Sequence, residues 1–148
     1  MPKSDEKVKR VRVVVADDNK NVRDTVVRML QQEFEVIGTA TNGSAALEMT
    51  MFLEPEIVIV DISMPVISGI EAANEIRRKG SKAKLVFLTV HEDPDFVRAA
   101  LKAGASGYVV KSQMATDLVV AIRAAVEGNF FISPSCALPK YPSRNNAL

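Results

Sequence analysis

Four short stretches carry side chains that could do chemistry together. "VVVADDN" runs from an apolar segment into Asp17 and Asp18, "IVIVDISMP" turns polar at Asp61, "LVFLTV" at Thr89, and "GYVVK" at Lys111. Like charges ~4 Å apart repel by roughly 4 kcal/mol at an effective dielectric of about 20. Three carboxylates gathered in one place therefore need a counter-charge. Lys111 offers one positive charge. A hard divalent cation offers two, and Mg²⁺ fits best, because it binds through one or two carboxylates plus phosphate oxygens and keeps its remaining waters. The chemistry implied is phosphoryl transfer, in which a cation and a lysine share the charge on the equatorial oxygens while a nucleophile attacks in line. An aspartate carboxylate is a competent nucleophile for an acyl-phosphate intermediate.

These residues meet only if the chain brings the ends of the apolar runs together. The runs are Val11–Ala16, Phe34–Ala40, Ile57–Val60, Leu85–Leu88 and Gly107–Val110, each strand-sized and bounded by polar or turn residues. Segments of helical period lie between them. Val22, Val26, Met29 and Leu30 mark the first, and the second spans about 44–52 before Pro55. The third opens on Ser68-Gly-Ile-Glu71, a capping box, and stops at Gly80. Asp93-Pro94 opens the fourth, which ends at Gly104, and the stripe Leu118, Val119, Ile122, Ala125 and Val126 marks the fifth, which ends at Gly128. Strands alternating with helices predict an α/β fold, a doubly wound five-stranded parallel sheet of flavodoxin-like order 2-1-3-4-5. Ligands bind outside the carboxyl ends of such strands. Strands 1, 3, 4 and 5 are neighbours in that order, so Asp17, Asp18, Asp61, Thr89 and Lys111 would share one cleft.

Composition bounds the rest. The chain has 148 residues, suiting one domain with short tails, and 47% hydrophobic and 25% charged residues, ordinary for a globular protein. A net charge of +1 gives no global attraction to nucleic acid. Cys136 is the one cysteine, so no internal disulfide framework exists. The start "MPKSDEKVKR" lacks an apolar signal-peptide core, and no apolar run approaches a membrane span, so a cytoplasmic location without membrane contact is expected. The expected organisation is a disordered tail over 1–8, a folded domain over 9–132, and a linker-like tail over 133–148 with no output domain.

Over about residues 9–132 the chain resembles the receiver domain of two-component response regulators. The resemblance rests on Asp17-Asp18, Asp61 in "DISMP", Thr89, and Lys111 in "GYVVK". The segment "AGASGYVVKSQMATDLVVAIRAAVEGNFFISP" is similar more narrowly to the NarL/FixJ subfamily, whose members usually carry a LuxR-type helix-turn-helix. The resemblance implies that Asp61 is the phosphoacceptor, charged by the phosphohistidine of a sensor histidine kinase. Asp18 and Asp61 would bind Mg²⁺ directly with the backbone carbonyl of Ser63, and Asp17 through water. Lys111 would pair with a phosphate oxygen. The Thr89 hydroxyl would move to the phosphate and Tyr108 would follow it inward, switching the face of helix 4, strand 5 and helix 5. A phosphorylation-dependent homodimer is a further implication. Ser63 and His91, two residues after Asp61 and Thr89, could touch the water that hydrolyses the acyl phosphate. Ser112 stands where many receivers have proline, so an ordinary trans peptide is expected there. Met114 is expected at the N-cap of the fifth helix, a poor capping residue that predicts a ragged start.

Taken singly, each residue has a plainer reading: Asp17-Asp18 as a helix cap and a solvated acid, Asp61 as a turn cap before Pro65, Thr89 as a strand end, Lys111 as a surface charge, Tyr108 as a half-buried strand aromatic, His91 as a loop residue. Their joint placement at strand ends favours the receiver. An aspartyl-phosphate phosphatase of the haloacid dehalogenase type would need an acid at position 63, where Ser63 stands. A flavin-binding protein would need a phosphate-accepting loop in place of two acids. No helix-turn-helix pattern occurs and the basic residues are scattered, so the chain itself is expected not to bind DNA, whether it serves a transcriptional regulator or acts as a stand-alone receiver.

Overall fold

The computed structural model describes residues 9–136. The tail expected over 1–8 lies outside them, as does all of the linker-like segment after 136.

Strands and helices alternate as the periodicity predicts. They are β1 (Arg12–Ala16), α1 (Lys20–Leu30), β2 (Glu35–Ala40), α2 (Gly43–Leu53), β3 (Ile57–Val60), α3 (Gly69–Arg78), β4 (Lys84–Thr89), α4 (Pro94–Lys102), β5 (Ala105–Val110), α5 (Met114–Val126) and a short β6 (Phe131–Ile132). All pairings are parallel, in the order β2-β1-β3-β4-β5-β6. The expected order stands, with a sixth strand added at the β5 edge. Two residues are too short for any period, which is why the five-stranded expectation missed β6.

Side chains alternate across each strand and so feed two cores. Val14, Ala16, Val58, Val60, Phe87, Tyr108 and Val110 face α2, α3 and α4; Val13, Val15, Ile57, Ile59, Val86, Leu88 and Val109 face α1 and α5. Burial on both faces explains why these strands read as continuous apolar runs.

Local signals set the helix ends. Ser68 and Glu71 form the capping box, and the Asp93 side chain accepts from the Asp95 N–H. Gly80, Gly104 and Gly128 take left-handed φ values just past α3, α4 and α5. The start of α5 differs from expectation. Gln113, not Met114, holds the N-cap position, no side chain caps it, and a 3₁₀ turn over Lys111–Gln113 leads in. Lys111–Ser112 is trans, since no cis peptide occurs among the described residues.

Chain past the expected boundary at 132 also packs. Ser133 is fully buried and Cys136 nearly so, while the Ser133 N–H donates to the Tyr108 carbonyl.

Candidate functional site

The strand ends set the site's main chain. The Asp17 N–H donates to the Ala40 carbonyl and the Asp61 N–H to the Ala16 carbonyl, each extending the ladder one step beyond its strand. Asp61 and Gly69 then lie back to back. A Cβ on Gly69 would collide with the Asp61 carbonyl oxygen, and the Gly69 N–H donates to the next carbonyl, that of Ile62. The loop between them carries Val66 at φ 73°, a left-handed conformation costly for a β-branched residue, with its side chain in solvent.

The three carboxylates converge as expected. Asp17, Asp18 and Asp61 can each direct one oxygen to within 4.8 Å of the others. Asp17 and Asp61 are buried and Asp18 is exposed. Lys111 joins them: its ammonium donates to Asp61 Oδ2 at 3.0 Å and stands 2.8 Å from Asp17 Oδ2 without hydrogen-bond alignment. Asp17 Oδ1 accepts from the Asn19 N–H at 2.8 Å, and its carbonyl accepts from Arg23 at 2.9 Å. Asp61 Oδ1 is buried with no hydrogen-bond partner among the described residues.

Burial pushes the Asp61 carboxyl above the usual carboxylate range; Lys111 opposes this, and the nearby charge of Asp17 adds to it. Burial works against the charge of Lys111 too, yet the two carboxylates beside it hold its pKa above normal. The two directions agree physically. Lys111 answers to two acids and reaches partly into solvent, whereas Asp61 has one cation to share and a like charge beside it.

Such a cluster fits a hard cation. It offers oxygen donors only, one of them a buried carboxylate oxygen with no hydrogen-bond partner among the described residues.

Thr89 and Tyr108 sit on adjacent strands behind this cluster, both fully buried. Tyr108 already points inward. Its hydroxyl donates to the His91 carbonyl at 2.9 Å, and the His91 N–H donates to Thr89 Oγ1 at 3.3 Å. Burial raises the Tyr108 phenol far above its ordinary pKa, so it remains a donor. The His91 ring stacks on Phe96, centroids 4.1 Å apart, and Nε2 lies 2.8 Å from Ser63 Oγ. Ser63 and His91, expected to flank the acceptor within reach of the hydrolytic water, also touch each other.

Sequence reasoning missed the linking role of the His91 backbone, which leaves no signal in spacing because it depends on loop conformation.

Comparison with known proteins matches the family and the fold. The family model described as "Response regulator receiver domain" matches residues 13–123. The uncharacterized transcriptional regulatory protein YvfU of Bacillus subtilis is 38% identical over 126 residues, 84% of this chain and 63% of that protein. A crystal structure of a LuxR-family two-component response regulator from Aurantimonas superposes with a TM-score of 0.82 at 32% identity, covering 86% of this chain and 93% of that one. RcsB, solved as two dimers bound to two parallel DNAs, gives 0.79 at 27% identity over 86% of this chain and 66% of that one. The chain spans between about half and two thirds of the curated relatives it matches, 54% of DegU from Brevibacillus brevis and 63% of YvfU.

Proposed function

This chain belongs to the response regulator receiver domain family, and on that premise we propose that it is a phosphoacceptor switch. Asp61 takes a phosphoryl group from the phosphohistidine of a sensor histidine kinase in a Mg²⁺-dependent transfer. One observation carries the reading: a buried Asp61 with one oxygen held by Lys111 and the other unpartnered, inside a cluster of three carboxylates.

In the transfer, Asp61 Oδ1 forms the new P–O bond. The P–N bond to the kinase imidazole breaks, and its electron pair returns to the ring nitrogen. Lys111 keeps Asp61 Oδ2 paired and reaches a phosphoryl oxygen from where it already stands. Asp18, Asp61 and the Ser63 carbonyl would hold Mg²⁺, with Asp17 reaching it through water, and the cation would supply positive charge against the transferring phosphoryl oxygens.

Switching follows from Thr89. Its hydroxyl turns toward the new phosphoryl group and gives up the 3.3 Å bond from the His91 N–H, which is long and therefore weak. Tyr108 is anchored on the carbonyl of the same residue, so a shift of His91 reaches both side chains. The face of α4, β5 and α5 changes with them.

The unit responsible spans residues 9–132 together with the packed residues up to 136. It acts in the cytoplasm as the regulatory part of a transcriptional regulator, dimerises when phosphorylated, and leaves DNA contact to other parts of such a regulator. LuxR-family relatives and the RcsB dimers support that output.

Incubation with acetyl phosphate and Mg²⁺, wild type beside Asp61→Asn, followed by intact mass and size exclusion, tests the reading. One phosphoryl group per wild-type chain and none on the variant is expected. Continuous turnover of a phosphomonoester, or equal labelling of both proteins, would overturn it.

A further inference from the structure

Lys111 lies on a turn that has no cap of its own. The preceding strand ends at Val110, the 3₁₀ turn Lys111–Gln113 follows, and α5 begins without a side-chain cap. Something else must fix the direction in which the lysine leaves the sheet.

Ser133 stands at that place. It is fully buried. Its hydroxyl accepts from the Val110 N–H at 3.1 Å and donates to Asp117 Oδ2 at 2.7 Å. Its own N–H donates to the Tyr108 carbonyl at 2.9 Å, and its carbonyl accepts from the Cys136 N–H at 3.0 Å. One hydroxyl therefore joins the residue just before Lys111 to the first turn of α5, and the stretch carrying the lysine is bracketed between those two bonds. A buried Ser hydroxyl with both roles filled has one orientation, so the bracket is rigid.

We propose that Ser133, held by Asp117, is a positioning residue for Lys111, and that it makes the short segment after β6 part of the phosphoryl-transfer site. This rests on the function proposed above. Ser133 touches neither the acceptor nor the carboxylate cluster; it acts by keeping the ammonium within reach of Asp61 and of the incoming phosphoryl group. Misplacement of a reacting or charge-stabilising group by a fraction of an ångström suffices to slow a transfer.

A double-mutant cycle tests this. Wild type, Ser133→Ala, Lys111→Ala and the double variant are labelled with acetyl phosphate over a range of Mg²⁺ concentrations and followed by intact mass. Ser133→Ala should lower the maximal labelling rate by about three- to tenfold, while the half-saturating Mg²⁺ concentration moves less than about twofold. In the Lys111→Ala background the same change should alter the rate by less than about twofold, because the group it positions is gone.

A Ser133→Ala rate within about twofold of wild type overturns the inference, as does an equal slowing in both backgrounds. If Ser133→Ala does not fold, Asp117→Asn goes through the same cycle under the same criteria. Failure of the wild type to label sinks the proposed function and this inference together. A labelled wild type beside an indifferent Ser133→Ala sinks this inference alone.

Discussion

The carbonyl oxygen of Asp61 occupies the space that a Cβ on Gly69 would need. Glycine there lets the start of α3 press against the main chain of Asp61, the proposed acceptor. Gly69→Ala should destabilise the protein by on the order of 2 kcal/mol, because the obstacle is backbone and cannot swing aside. It should also displace Asp61, so that labelling by acetyl phosphate falls more than the loss of folded protein explains. Chemical denaturation paired with labelling kinetics at a temperature where the variant remains folded separates the two effects.

Burial raises the pKa of Asp61, so its charge is a burden on the metal-free folded state. A group whose folded pKa lies above its unfolded value stabilises below the unfolded pKa and loses that contribution as pH rises through the folded one. Asp61→Asn should therefore melt close to wild type near pH 4 and higher than wild type at pH 7, by on the order of 1 kcal/mol without divalent cations. Thermal melts in a chelator across that range measure the difference. A constant gap at every pH would contradict the assignment.

Asp18 is exposed, and among the described residues it forms no ion pair. Asp18→Asn should leave metal-free stability within about 0.5 kcal/mol of wild type. Its effect should appear only with Mg²⁺. At a concentration about 100 times its dissociation constant the cation stabilises the wild type by about 2.7 kcal/mol, and the variant should show a small fraction of that at the same concentration. Melting temperature against MgCl₂ is the measurement.

Ser63 Oγ and His91 Nε2 lie 2.8 Å apart, two residues beyond Asp61 and Thr89 respectively. Ser63→Ala and His91→Ala should both change the lifetime of phosphorylated Asp61, by about two- to tenfold, with wild-type extent of labelling. Because the two side chains bond each other, the double variant should fall short of the product of the single effects. Decay of the labelled species after removal of the phosphodonor gives all of these values.

Much of this was legible in the chain itself. Val13–Ala16 and Ile57–Val60 read as buried strands because helices cover both their faces, and Ser68-Glu71 and Asp93-Pro94 announced their helices through capping chemistry that acts within a few residues. The convergence of Asp17, Asp18, Asp61 and Lys111 followed from the sheet order. What stayed hidden depends on contacts between distant segments. Phe131–Ile132 becomes a strand only because the β5 edge is open beside it, and Ser133 looks like one more small polar residue among prolines until Val110 and Asp117 meet it. Tyr108 was expected to move inward on activation, yet its hydroxyl is already bonded to the His91 carbonyl. Whether a ring has room inside depends on α4 and on the loop before it, which sequence period does not describe.

Lys111 and Asp17 stand 2.8 Å apart, though one comes from the first strand and the other from beyond the fifth. No contiguous piece of the polypeptide short of nearly the whole domain holds both. A nascent or damaged copy, with β5 unplaced, leaves Asp17 and Asp61 without the ammonium that the assembled fold sets beside them. Under the function proposed above, phosphorylation would thereby proofread the molecule: a fully assembled copy would be marked, and misfolded ones would drop out of the signal.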